Sequence, residues 1–457
     1  MKKKLLAGLL TTAMLMSGLA GCGSDQSADS APASTGDSAP AAESTATEEQ
    51  AAAEEDNGEV IELEFWGWWS SEARKPYIQQ MVDDFNASQS KYHVTYVDIP
   101  WGDIFTKNIA QIAAGDPCDI MANSLNQVRF RAEEGQVESL DAYVTDDVVG
   151  GFYEQYIDAC TGEDGQLYAL PFNVDTRGIY YNIDHFEEAG INPEDIQTWD
   201  DLIEAARKLD VQNGDGWDRI GFLPVVGNGG VDTWCINANG GPAWFNPDTL
   251  EVTVNSETNK EAFRWIREQI DYYSQDTFNE ISAAYSNGMQ DPFASGVLSM
   301  VVHTSSYPAA LAEMAPDLNY GVIKLPEFKD GTGHVANGDG FVLEIPKGAK
   351  NPEGSYEFIK YITGKENQEY QGSVLRDFSA RNDIDTESEY MQNPVTLSLA
   401  ECLEETSTII APGEVIGWDS VINPLIEEGT LGVTDTDTAL DNAQAALEEF
   451  VANNASK

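Results

Sequence analysis

Three indoles stand within four residues at Trp66-Gly67-Trp68-Trp69, and Ser70 and Ser71 follow them. Flat apolar rings beside hydroxyl-pairing groups suit a ligand with C–H faces and a hydroxyl rim, which is the surface of a sugar. One turn cannot bury that much indole, so Trp68 or Trp69 is expected to touch ligand. The competing expectation is that they pack beneath the next helix. Other chemistries lack their residues. Of four His, none stands at metal-ligand spacing from another His or a Cys, and no metal or other cofactor is expected. No Gly-x-Ser-x-Gly turn and no phosphate loop occurs. Asn213-Gly214-Asp215-Gly216 hints at a calcium loop, but Val211 and Phe222 hold its first and last ligand positions. Carboxylates are too numerous for counting to exclude a hydrolase pair.

The elements that must carry these residues alternate. Residues 60–66 read as a strand, with Ile61, Leu63 and Phe65 alternating against Glu62 and Glu64. Tyr77, Ile78, Met81, Val82 and Phe85 then mark a helix face. A second strand is expected over 92–99. A helix with Ile104, Phe105, Ile109 and Ile112 follows, stopped by Gly115. Short strands are expected at 119–122, 178–183, 297–302 and 341–345. Thr198-Trp199-Asp200-Asp201 reads as a capping box before a helix. This rhythm predicts an α/β fold with mostly parallel sheets and helices on both faces. Roughly 400 residues follow position 59, more than one core organises, so two lobes are expected.

The N-terminus sets the compartment. Lys2, Lys3 and Lys4 precede an apolar run that is shorter than the ~20 residues a spanning helix needs. It ends in Leu19-Ala20-Gly21-Cys22, which resembles the lipobox of bacterial lipoproteins. Residues 1–21 therefore read as a signal peptide and Cys22 as a lipid anchor on the outer face of the cell membrane. Residues 22–59 are small and acidic, with no Lys or Arg between Lys4 and Arg74, and are expected to be a disordered tether. The net charge of −53 argues against nucleic acid and anionic membrane surfaces as partners. Cys118, Cys160, Cys235 and Cys402 are widely spaced and are expected as free, buried thiols.

Several segments then recur in a fixed order. They include Gly115-Asp116-Pro117-Cys118-Asp119-Ile120, Gly165-Gln166-Leu167-Tyr168-Ala169-Leu170-Pro171 and Tyr180-Tyr181-Asn182-Ile183-Asp184. Thr198-Trp199-Asp200-Asp201-Leu202 and Gly338-Asp339-Gly340-Phe341-Val342 follow. In this order they resemble the bacterial extracellular solute-binding proteins, in the carbohydrate group related to maltose-binding protein. The resemblance implies a two-lobe, type II periplasmic-binding-protein-like fold with a hinge and an interlobe cleft. Lobe 1 would hold 60–171 and 340–373, and lobe 2 would hold 172–339 and 374–457. It implies a monomeric, non-catalytic sugar receptor that delivers its ligand to the permease subunits of an ABC importer.

By position in that family, Asn123, Asn126, Asp175, Trp234, His303, Ser305 and Trp418 are implied ligand contacts, beside Trp68 and Trp69; Asp339 is expected to reach the ligand from a Gly-rich crossing whose glycines suit a close backbone approach. Ser306 stands where maltose-binding protein has a stacking Trp, so a different pose is implied. The candidate cleft segments hold almost no Lys or Arg apart from Arg381, which favours a neutral ligand over a phosphate. The alternatives are a secreted carbohydrate-active enzyme and a receptor for another polar solute, such as a polyol phosphate.

Overall fold

The computed structural model describes residues 60–71, 74–214, 216–247, 249–286, 290–408 and 416–454. The expected signal, Cys22 anchor and tether lie outside the described residues. Twelve strands occur among those described. In chain order they are β1 (Ile61–Gly67), β2 (Tyr92–Asp98), β3 (Ile120–Ser124), β4 (Ala169–Val174), β5 (Arg177–Asn182) and β6 (Val211–Asn213). Then come β7 (Gly216–Gly227), β8 (Leu298–Thr304), β9 (Tyr320–Ile323), β10 (Ala336–Gly338), β11 (Gly340–Glu344) and β12 (Thr406–Thr408). Two five-stranded sheets result, ordered β2-β1-β3-β11-β4 and β6-β7-β8-β5-β9.

Local patterns act as their chemistry dictates. In β1, Leu63 and Phe65 are buried while Glu62 and Glu64 are exposed. The following helix, Lys75–Ser88, buries Ile78, Met81, Val82 and Phe85 and leaves Tyr77 half-buried. Helix Trp101–Ala114 ends at Gly115, whose φ of 74° only glycine adopts without strain. Ile109 in that helix is exposed, against the expected apolar face. Thr198 and Asp201 form the reciprocal capping box. The four cysteines of the described body are free and buried. No helix among the described residues is long and apolar enough to cross a membrane.

Parallel pairing is scarcer than the alternation implied. β1 is parallel to both β2 and β3, and β7 is parallel to β8. β11, however, enters antiparallel between β3 and β4, and β5 is antiparallel to both β8 and β9. β11 follows β10, which pairs with β12 outside both large sheets, and it enters the first sheet running against β3 and β4.

The segments that join the sheets lie side by side. β4 stays in the first sheet to Val174, so the chain leaves at Asp175 and not after residue 171. It returns between β10 and β11. The Asp175 N–H donates to the Asp339 carbonyl at 2.8 Å, and the Asp339 N–H donates to Asp175 Oδ1 at 2.8 Å. Gly338 and Gly340 flank that contact. A Cβ on either would come within 2.5 Å of a carbonyl oxygen, of Asp175 and Asn173 respectively. A third segment pairs Phe378 with Val174, and helix Pro394–Glu404 then packs on β9 and β5.

Candidate functional site

A cavity of about 440 Å³ opens where the ends of β1, β4, β8 and β11 converge. Trp68, Ser70 and Phe341 wall it from the first sheet, and Ser305 and Ser306 from the second. Asp175 and Asp339, in the joining segments, line it as well. A second cavity of about 240 Å³ shares Arg177 and Asp339 with the first and adds Asn126, Trp418 and Asp419. Ligands of open α/β sheets sit at this kind of strand-end crevice.

The charges in the cleft are largely paired. Arg74 meets Asp377 at 2.6 Å, and Arg177 meets Asp175 at 2.7 Å. Burial pushes the Asp339 carboxyl up to about 7, and the nearby Asp175 carboxylate adds to that shift. Asp339 accepts from its neighbour Gly340 N–H at 2.8 Å and from Ser124 Oγ at 3.5 Å. Asn126 Oδ1 is buried without a partner, an acceptor available to a hydroxyl. Paired charges, free acceptors and aromatic rings suit a neutral, hydroxyl-rich ligand. No cluster of metal-ligating side chains occurs among the described residues.

The expected contacts divide. Trp68, Asn126, Asp175, Ser305, Asp339 and Trp418 line these two cavities. Trp69 also lines the larger one but is only 3% exposed; its N–H donates to Tyr96 Oη, and its ring lies 5.0 Å from Phe172. It belongs mainly to the core.

Three expectations are corrected. Asn123 is fully buried: its amide donates to Glu344 at 2.9 Å and its carbonyl accepts from the Ser124 N–H. Glu344 is paired with Arg131 at 2.7 Å, and a buried ion pair needs such extra hydrogen bonds. Trp234 is fully buried too, its indole donating to the Pro224 carbonyl and packed between Trp199 and Trp265. His303 lies on β8, a strand buried along its length, and lines neither cavity. It stacks on Tyr307 at 3.6 Å and meets Tyr285 Oη at 2.9 Å, and burial pushes it down to about 3, so it is uncharged at neutral pH.

The cleft also holds two arginines the sequence reading passed over, Arg74 and Arg177. Arg381 instead pairs with Asp383 at 2.6 Å and packs on Phe152. Phe341 was signalled by the strand pattern at 341–345, but nothing local pointed its ring at the cleft. Nothing local joins Arg74 to Asp377 either, which lies 303 residues away.

Known proteins share this fold. The arabinooligosaccharide-binding protein of Bacillus subtilis (strain 168) is 23% identical over 334 residues, covering 69% of this chain and 72% of that protein. The structure of CpMnBP1 with mannotriose bound superposes with a TM-score of 0.70 at 21% identity, covering 85% of this chain and 100% of that one. The GacH receptor of Streptomyces glaucescens GLA.O gives 0.69 at 22% identity, covering 86% and 99%. These likenesses establish the two-lobe fold. The model of the bacterial extracellular solute-binding proteins matches residues 69–369, and this chain belongs to that family.

Proposed function

We propose that this protein captures a sugar or oligosaccharide between its lobes and presents it to the permease subunits of an ABC importer, without altering it. The observation that carries this reading is the pair of adjoining cavities. In them Trp68, Phe341 and Trp418 supply apolar faces, while Asp339 and Asn126 supply acceptors. The lobes are taken to meet at the joining segments, with 60–171 and 340–373 on one side and 172–339 and 374–457 on the other, allowing for the later exit of β4. A ligand touching both sides binds the closed form better and shifts the population toward it. Cys22 carries the lipid anchor, residues 22–59 act as the tether, and the receptor works as a monomer. Relatives include an arabinooligosaccharide-binding protein and sn-glycerol-3-phosphate-binding proteins, and it is the pairing of Arg74 with Asp377 and of Arg177 with Asp175 that supports a neutral carbohydrate over a phosphate.

The test is X-ray scattering with and without each member of a glycan panel, followed by mass spectrometry of the recovered glycan. A bound glycan that shrinks the radius of gyration and returns intact supports the reading. A shortened glycan makes the protein an enzyme, and binding without compaction removes the closing mechanism.

A further inference from the structure

Of ten tryptophans, all within the described residues, Trp101 alone is exposed, at 45%. It opens helix Trp101–Ala114, directly beyond the end of β2. β2 is the outermost strand of the first sheet and runs parallel to β1, with Gly67 opposite Asp98. The pairing continues past the strands, since the Ile99 N–H donates to the Gly67 carbonyl at 2.8 Å. Trp68 and Trp101 therefore leave adjacent strands on the same edge, the edge that carries the cleft. The rings meet at 4.4 Å and 87°, and Phe341 lies 5.9 Å from Trp101. Trp68 and Phe341 are cavity walls. Trp101 is not, so it continues the aromatic row outward from the cavity to the rim.

An indole held edge-on by Trp68 and Phe105 has its position fixed while much of its surface stays in water. That is the form of a stacking platform. It is poorly suited to a packing role, which would bury the ring. Ser70, exposed and on the cavity wall just past the end of β1, offers a hydroxyl partner to a ligand leaving the cavity. The cavity walled by Trp68, about 440 Å³, lies toward the small end of the ~300–1,000 Å³ that ligand sites enclose, so a longer chain extends beyond it, and the rim at Trp101 is one way out beside the adjoining cavity.

We propose that Trp101 forms an outer subsite, stacking a sugar ring of an oligosaccharide that runs out of the cleft past Trp68. This rests on the sugar-receptor reading above. It makes the preferred ligand a chain, with affinity rising with length.

The test is calorimetry of the full chain with linear gluco- and manno-oligosaccharide ladders, from disaccharide to hexasaccharide. In the wild type, affinity rises with length. Trp101→Ala weakens binding of the longest bound member by about two- to tenfold and leaves the shortest unchanged, the scale of one lost ring contact. Trp101→Phe keeps part of the gain. Far-UV circular dichroism and the melting temperature check that both variants are folded. Equal loss at every length makes Trp101 a buttress of Trp68 and overturns the subsite. So does a wild-type affinity that does not grow with length, or an unchanged affinity in Trp101→Ala; in each case the sugar reading stands. If no glycan of either ladder binds the wild type, the subsite for such chains falls, and the sugar reading itself is decided by the wider glycan panel above.

Discussion

Arg74 grips Asp377 through two hydrogen bonds, at 2.6 and 2.7 Å, with both residues on the wall of the larger cavity. Asp377 is 5% exposed and also accepts from Asn173 Nδ2 at 3.1 Å. Arg74→Ala would leave that carboxylate without its counter-charge. The guanidinium is partly exposed, so the expected loss is about 1–3 kcal/mol of stability, below that of a fully buried pair. Urea denaturation measures it, and Asp377→Asn in the same chain should restore part of the loss. A midpoint unmoved by Arg74→Ala would show that solvent already screens the pair.

Trp69 and Trp418 should behave as opposites. Trp69 is buried against Phe172, so Trp69→Ala should cost about 3–5 kcal/mol of stability. Trp418 is half-buried, edge-on to Phe245 at 5.4 Å, and walls the smaller cavity. Trp418→Ala should leave the melting temperature nearly unchanged and weaken glycan binding by about 1–3 kcal/mol. Calorimetry and thermal unfolding on both variants read the contrast. Equal behaviour would mean one of the two rings is misassigned.

Asp339 should make stability depend on pH. Its folded value, about 7, lies above the ordinary 3.8, so the folded state holds the proton more tightly. The stabilisation is complete below about 4 and is lost as pH rises through about 7. Asp339→Asn keeps an acceptor for the Gly340 N–H and removes this titration. The unfolding free energy of the wild type minus that of Asp339→Asn should therefore fall between pH 4 and 7. A flat difference would mean the carboxyl is ordinary.

Anchoring is tested at Cys22. Cys22→Ala should move the protein from the membrane fraction to the medium or leave the precursor unprocessed. Mass spectrometry of the native N-terminus finding no lipid on a membrane-bound chain would remove the lipoprotein reading.

What the sequence disclosed follows the range of the interaction. The alternation of β1, the stop at Gly115 and the Thr198–Asp201 box depend on residues a few positions apart, and all three formed. Trp418 and Trp234 looked alike as isolated tryptophans. Only the arrival of Trp199 and Trp265 makes Trp234 core, and that depends on tertiary packing. Asn123 misled for the same reason, since its partner Glu344 comes from β11. The glycines around Asp339 were legible because a close backbone approach admits no Cβ. The reversed β11 was not, because strand direction leaves no mark on the alternation of side chains.

The placement of β11 also bears on how the chain comes to be folded. Asn123 waits for Glu344, 221 residues further on, and β3 and β4 are not bridged until β11 slides between them. Closing so large a loop is slow, and most of the polypeptide must exist before it can begin. A chain emerging N-terminus first would thus remain open through most of its synthesis. Under the proposed export directed by residues 1–21, that delay would keep the chain threadable until it is across a translocation channel.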